Sequence, residues 1–155
     1  MTINSDYSDI LRCFVEETVQ FLVVGGYAVM KHSEPYNTKD LDLWIAPNRG
    51  NAERAYRSMA RFGAPLGDVT VEDLLNPDLV YQLGIDPIRI DVMSAISGLN
   101  FDAAWNRRDK MMYGGLEVPV LSIEDTSCAK KACGRPKDLI QAAELDRIIA
   151  KRQQK

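Results

Sequence analysis

A single histidine, His32, occurs among the 155 residues. That scarcity argues against a metal site built from histidines and against a triad with several candidate bases. No apolar run approaches the roughly 20 residues a membrane-spanning helix requires. The longest, FLVV at 21–24, is cut short by two glycines. The cysteines, Cys13, Cys128 and Cys133, are odd in number and too scattered for a disulfide framework or a zinc knuckle, so reduced, packing thiols are expected. The opening MTINSDYSDI has no basic patch followed by an apolar stretch, which argues against a secretory signal and for the cytoplasm. There is no internal repeat, no low-complexity stretch and no Pro/Ser-rich linker.

What is present fits an ordinary globular chain. Apolar residues make up 46% and charged residues 26%, enough of each for a buried core and a solvated surface. The length suits one domain, 1–155, of which 123–155 forms a helical C-terminal segment. Net charge is −3, unevenly spread: from Cys128 onward there are 8 basic and 3 acidic residues. A basic tail on an acidic body can dock an anion such as a triphosphate or RNA, although a solvated basic helix has the same composition.

Periodicity gives a mixed order of elements. Ser5 or Ser8 can cap a first helix reaching about Thr18, with Leu11, Phe14 and Val15 at helical spacing. Phe21–Val24 is wholly apolar and partly β-branched, hence a buried strand. Gly25-Gly26 breaks it before a short helix, and Leu41–Ile45 reads as the next strand. Asn51–Phe62 is a helix stopped by Gly63, and a short one follows at Val71–Leu75. Leu79–Leu83 and Ile88–Met93 pair around Gly84-Ile85-Asp86-Pro87, and Phe101–Arg108 is helical. Lys110–Tyr113 and Leu116–Leu121 make a second hairpin across Gly114-Gly115. Two helices, from Ile123 to Cys133 and from Pro136 to Lys151, close the chain. Hairpins mixed with helices point to an α/β, mixed α+β, architecture: a mixed sheet flanked by helices.

The chemistry sits in the acids. On a strand, alternate side chains share a face, so Asp40 and Asp42 point together while Leu41 and Leu43 face the core. Two adjacent carboxylates repel unless something positive lies between them, and Mg²⁺ commonly binds one or two carboxylates together with substrate phosphates. In Ile88-Arg89-Ile90-Asp91-Val92, Asp91 stands opposite an apolar face, an acid in a strand of good β formers. If this strand neighbours the first, three carboxylates converge and can hold two cations about 4 Å apart. Asp91 is then placed to take a proton from an attacking hydroxyl. Gly25-Gly26, between a strand and a helix N-terminus, lets backbone approach a phosphate.

The stretch FLVVGGYAVMKHSEPYNTKDLDLWI resembles the signature of the DNA polymerase β superfamily of nucleotidyltransferases, and within it the minimal bacterial proteins that include abortive-infection toxins. The matching residues are Gly25, Gly26, Ala28, His32, Thr38, Asp40, Leu41 and Asp42, then Ile90-Asp91-Val92. KKACGRPKDL resembles the family's helix junction, which places Lys130, Arg135, Lys137 and Asp138. The resemblance spans roughly residues 20–140, and four motifs in this order are fairly specific. Tyr36 departs from it, since many relatives carry an arginine two residues before the threonine.

The resemblance implies a nucleotidyltransferase-like fold and transfer of an NMP from an NTP to an acceptor hydroxyl, with Mg²⁺ or Mn²⁺ as cofactor. It makes Asp40, Asp42 and Asp91 the metal ligands and catalytic acids. Gly25, Gly26, Thr38, Lys130, Arg135 and Lys137 become the nucleotide-binding set, with Thr38 orienting the acid strand. The acceptor can be an RNA end, a protein side chain or a small molecule, and a cognate antitoxin or toxin partner follows from the toxin-like relatives. His32 reads more simply as a packing or capping residue. Trp44, Trp105, Met111 and Met112 read as core or hairpin packing. Two other readings compete: a glycosyltransferase, because D-x-D also binds nucleotide-sugar diphosphates with a metal, and a non-catalytic nucleotide-binding or antitoxin-like module of the same fold.

Overall fold

The computed structural model describes residues 3–34, 40–84 and 88–154. The elements in chain order are α1 (Ser5–Glu16), β1 (Phe21–Val24), α2 (Gly25–His32), β2 (Asp40–Ile45), α3 (Arg49–Phe62), α4 (Val71–Leu75), β3 (Val80–Leu83), β4 (Arg89–Met93), α5 (Phe101–Asn106), β5 (Asp109–Tyr113), β6 (Leu116–Val120), α6 (Ile123–Cys133) and α7 (Pro136–Gln153). The strands form one sheet in the order β3-β4-β2-β1-β6-β5. β2 runs parallel to β4 and β1 parallel to β6, while the remaining neighbours are antiparallel. This is the mixed sheet flanked by helices expected from the pattern of elements.

Local chemistry sets the element ends. The first helix is capped by Asn4, whose side chain accepts from the backbone of Asp6 and Tyr7, so the cap is neither Ser5 nor Ser8. Val15, expected in the apolar stripe, is exposed on the far side of that helix. α3 begins two residues earlier than its pattern suggests because Asn48 caps it through the Asn51 N–H. The buried Asn51 amide then accepts from Gln20 N–H and donates to Gln20 O and Ala46 O, fastening α3 to the segments flanking β1 and β2. The β5–β6 hairpin turns on Gly114 and Gly115, whose φ of 54° and 80° suit the primed turn that matches strand twist.

β1 is buried along its whole length, so both of its faces are covered. Leu22, Leu43, Ile45, Phe14, Phe21 and Met59 lie in the main core. A smaller core joins Val29 of α2, Ile123 of α6 and Leu145 of α7. Trp44 is buried edge-on against Phe101, which itself stacks on Trp105. Met111 is buried while Met112 is 58% exposed, as alternation on a hairpin requires. The thiols depart from expectation. Cys13 is partly buried, but Cys128 and Cys133 are exposed on α6, so they are free surface thiols rather than packing groups.

Candidate active site

Strand order brings the acids together. β2 and β4 are adjacent and parallel, with Asp42 level with Asp91 and Asp40 level with Arg89. Residues level with one another on parallel neighbours point to the same face, so Asp40, Asp42, Arg89 and Asp91 share one side of the sheet. Leu41, Leu43, Ile90 and Val92 take the opposite side and are buried. The antiparallel β1 sets Val24 opposite Asp42, so the β1–α2 turn leaves the sheet beside that carboxylate.

Gly25 is what allows the turn to sit there. Its φ is +67°, and a Cβ at that position would run into the Asp42 carboxylate. Backbone conformation and space therefore both demand glycine. Gly26 follows in the first turn of α2. Thr38 and Tyr36 lie outside the described residues.

Electrostatics single out Asp42. Burial, followed by the charges of Asp91 and Asp40, pushes its carboxyl up to about 7, against weaker opposing pulls from Lys130 and Arg89. Asp91, itself buried, is gripped by Arg89, whose Nε and Nη2 donate to its two oxygens at 3.0 and 3.1 Å. Sequence reasoning did not single out Arg89, although its position two residues before Asp91 on the same strand put it on the acid face. Tyr7 of α1 fixes the backbone at that point, donating to Arg89 O at 3.1 Å and accepting from Arg89 N–H at 3.3 Å.

A cleft of about 280 Å³ opens beside Asp42. Gly25, Asp42, Lys130 and Arg135 line it, joined by Met93 of β4, residues 95–97 and the Thr126–Cys133 stripe of α6. The buried Asp138 organises the basic side of this cleft. It accepts from Arg135 at 2.6 and 3.2 Å and lies 3.5 Å from Lys130 Nζ. The Arg135 guanidinium, then burial opposing it, then Lys130, leave the Asp138 carboxyl below its usual range. Lys137 is different: it is exposed in the first turn of α7 and does not line the cleft.

His32 stands apart from the cleft lining. It is buried and its Nε2 lies 2.8 Å from Leu121 O, and burial lowers its pKa. A neutral ring donating to that carbonyl ties α2 to the end of β6, the packing role expected from sequence.

Residues 3–155 match a family described as a nucleotidyl transferase of unknown function (DUF2204). The chain belongs to this family. Nucleotidyl transfer is therefore its class of reaction, which sets aside the glycosyltransferase reading. Among curated proteins, none matches. Among solved structures, the lincosamide antibiotic adenylyltransferase LnuA, crystallised with lincomycin, is similar at 13% identity and a TM-score of 0.59, over 96% of this chain and 99% of that one. A candidate nucleotidyltransferase from Thermotoga maritima matches at 20% identity and 0.59, over 97% and 96%. The antibiotic-resistance factor ANT(2'')-Ia matches at 14% identity and 0.59, over 91% and 80%. At such identities the likeness concerns the fold.

The donor chemistry suits a hard divalent cation, since Asp40, Asp42 and Asp91 offer carboxylate oxygens on one face. Crowded negative charge at Asp42 is what such an ion would relieve. Among the described residues, no three acid, imidazole or thiol groups are set closely enough to enclose a metal as they stand. Both Asp91 oxygens are turned to Arg89, so an ion must share or displace that contact.

Proposed function

We propose that the chain is a divalent-metal-dependent nucleotidyltransferase that moves an NMP from an NTP to an acceptor hydroxyl, with Asp40, Asp42 and Asp91 as its metal ligands. One observation carries this reading. Asp42 and Asp91 lie level on adjacent parallel strands, and the cleft against Asp42 is lined by Gly25, Lys130 and Arg135. Acids for a cation and bases for a triphosphate thus meet in one place.

Within that site each residue has a physical task. Mg²⁺ or Mn²⁺ held by the acids would neutralise charge on the triphosphate and the departing pyrophosphate. Gly25 keeps the β1–α2 turn bare, so backbone at the start of α2 can face a phosphate. Lys130 and Arg135 supply positive charge, and Asp138 holds both in place so that little ordering is needed on binding. Asp91 accepts the proton of the acceptor hydroxyl once binding of the ion has freed one of its oxygens from Arg89.

The acceptor is a hydroxyl on a small molecule, an RNA end or a protein side chain. The small-molecule class has support from LnuA and ANT(2'')-Ia, an antibiotic adenylyltransferase and an antibiotic-resistance factor similar over nearly the whole chain. A toxin–antitoxin partner rests on the motif resemblance alone.

The test is label transfer. The chain is incubated with NTPs labelled at the α-phosphate, with Mg²⁺ or Mn²⁺, against a cell lysate separated into small molecules, RNA and protein. Label should enter one fraction, depend on the metal, and vanish with Asp42→Asn while the fold persists. Transfer that survives in Asp42→Asn, or in excess chelator, refutes the reading.

A further inference from the structure

We propose that Tyr7 is a positioning residue for the metal site: its hydroxyl holds the start of β4 so that Asp91 stays level with Asp42 when a cation binds. This inference rests on the reading of Asp40, Asp42 and Asp91 as metal ligands.

Tyr7 stands in the first turn of α1, far from the acids in the chain, yet it is buried. Its hydroxyl meets both backbone hydrogen-bonding groups of Arg89, the carbonyl at 3.1 Å and the N–H at 3.3 Å. A residue of a paired strand can make the same two bonds. Arg89 is the first residue of β4, level with Asp40 and two before Asp91. The Tyr7 ring stands edge-on to Tyr27, with centroids 5.9 Å apart. Tyr27 follows Gly25 and Gly26 in the first turn of α2. One side chain thus touches the start of one acid strand and the helix that begins at the glycine turn.

Tyr7 is itself held. Its N–H donates to the Asn4 side chain, and the Asn4 N–H donates to the Tyr113 hydroxyl. Tyr113 in turn meets Tyr27 edge-on at 5.8 Å. Burial raises the pKa of the Tyr7 phenol, the Arg89 bond opposes that, and the charges of Asp40, Tyr113 and Asp42 add to it. The phenol therefore keeps its proton, and with it the bond to Arg89 O.

This hold matters most when an ion arrives. Without metal, the Arg89 guanidinium grips both Asp91 oxygens and helps to fix that carboxylate. A cation must take at least one oxygen, which loosens the grip. Alignment of β4 then falls to its backbone contacts, and the Tyr7 hydroxyl supplies two of them at Arg89. Ligands must be held to within about 0.5 Å of their productive geometry. Loss of a group that orients a ligand costs about 10- to 100-fold in metal affinity, and a hold exerted through the backbone belongs at the lower end.

Tyr7→Phe removes the hydroxyl and keeps the ring against Tyr27. Binding of Mn²⁺ alone to the full chain is followed by the electron paramagnetic resonance of the free ion, beside the Mn²⁺ dependence of label transfer. The dissociation constant and the Mn²⁺ concentration for half-maximal transfer should both rise about tenfold, with kcat restored at saturating Mn²⁺. Asn51→Ala, which loosens the fold where α3 is fastened, should keep the wild-type affinity for Mn²⁺. In the wild type, the Arg89 amide should stay protected from hydrogen exchange when Mg²⁺ is added. Unchanged Mn²⁺ affinity in Tyr7→Phe, an equal loss in Asn51→Ala, or an Arg89 amide freed by Mg²⁺ overturns the inference and leaves the metal site standing. A wild type that neither binds Mn²⁺ nor transfers label with it sinks the metal reading, and the inference with it.

Discussion

Replacing Asp42 with asparagine should stabilise the metal-free protein while abolishing its activity. The carboxyl of Asp42 titrates at about 7 instead of 3.8, raised first by burial and then by the facing charges of Asp91 and Asp40. A shift of that size corresponds to about 4 kcal/mol by which the ionised group weakens the fold. The native state favours the protonated acid, so this stability is fully present below 3.8 and is lost as pH rises through about 7. Asparagine is neutral at every pH and nearly the same shape. In chelator at about pH 8 the variant should therefore melt roughly 10 °C higher, given a few degrees per kcal/mol for a chain of this size. The gap should close as pH falls toward about 4. Mn²⁺ should raise the melting temperature of the wild type and do little for the variant. A variant that melts at or below the wild type at the higher pH, or a gap that ignores pH, would refute the electrostatic account of the site.

Other outcomes follow from the same geometry. Gly25→Ala should lose most transfer activity and destabilise the fold by more than about 1 kcal/mol, since its φ of +67° and the Asp42 carboxylate both oppose a methyl group; activity and chemical denaturation check this. Asp138→Asn should raise the KM for NTP about tenfold with a smaller effect on kcat, because Lys130 and Arg135 lose their shared anchor. His32→Ala should cost about 1–3 kcal/mol through the lost bond to Leu121 O, while transfer by the remaining folded protein keeps its metal dependence. Asn51→Ala should cost at least about 2 kcal/mol, since three backbone groups lose a buried partner.

Much of this was legible from sequence because the relevant signals are local. The apolar FLVV run gave β1, and the alternation of Asp40-Leu41-Asp42-Leu43 placed both acids on one face of β2. The Ile90-Asp91-Val92 pattern likewise fixed which way Asp91 points, and β4 then proved to be the neighbour of β2. What stayed hidden depends on tertiary partners. Asn4 takes the cap in place of Ser5 and Ser8 through its own side chain, and Tyr113, 109 residues away in the chain, accepts from its backbone N–H. Lys130 and Arg135 reach the cleft whereas Lys137 does not, since Asp138 gathers the first two and the first turn of α7 turns the third outward. The Arg89 grip on Asp91 needed the fold too: alternation shows a shared face but not a closed ion pair. Exposure of Cys128 and Cys133 reflects an α6 whose buried residues, Ile123, Asp125, Thr126 and Ser127, all lie in its first half, which its composition does not reveal.

The most direct measurement is a crystal structure of the chain grown with Mn²⁺ and a non-hydrolysable nucleoside triphosphate, with anomalous differences recorded for manganese. A peak coordinated by Asp42 and Asp91, with phosphate oxygens completing its shell and the triphosphate between Gly25 and Lys130, is the result this account requires. Manganese bound away from those carboxylates, or a nucleotide seated elsewhere while the Arg89–Asp91 pair stays closed, would contradict it.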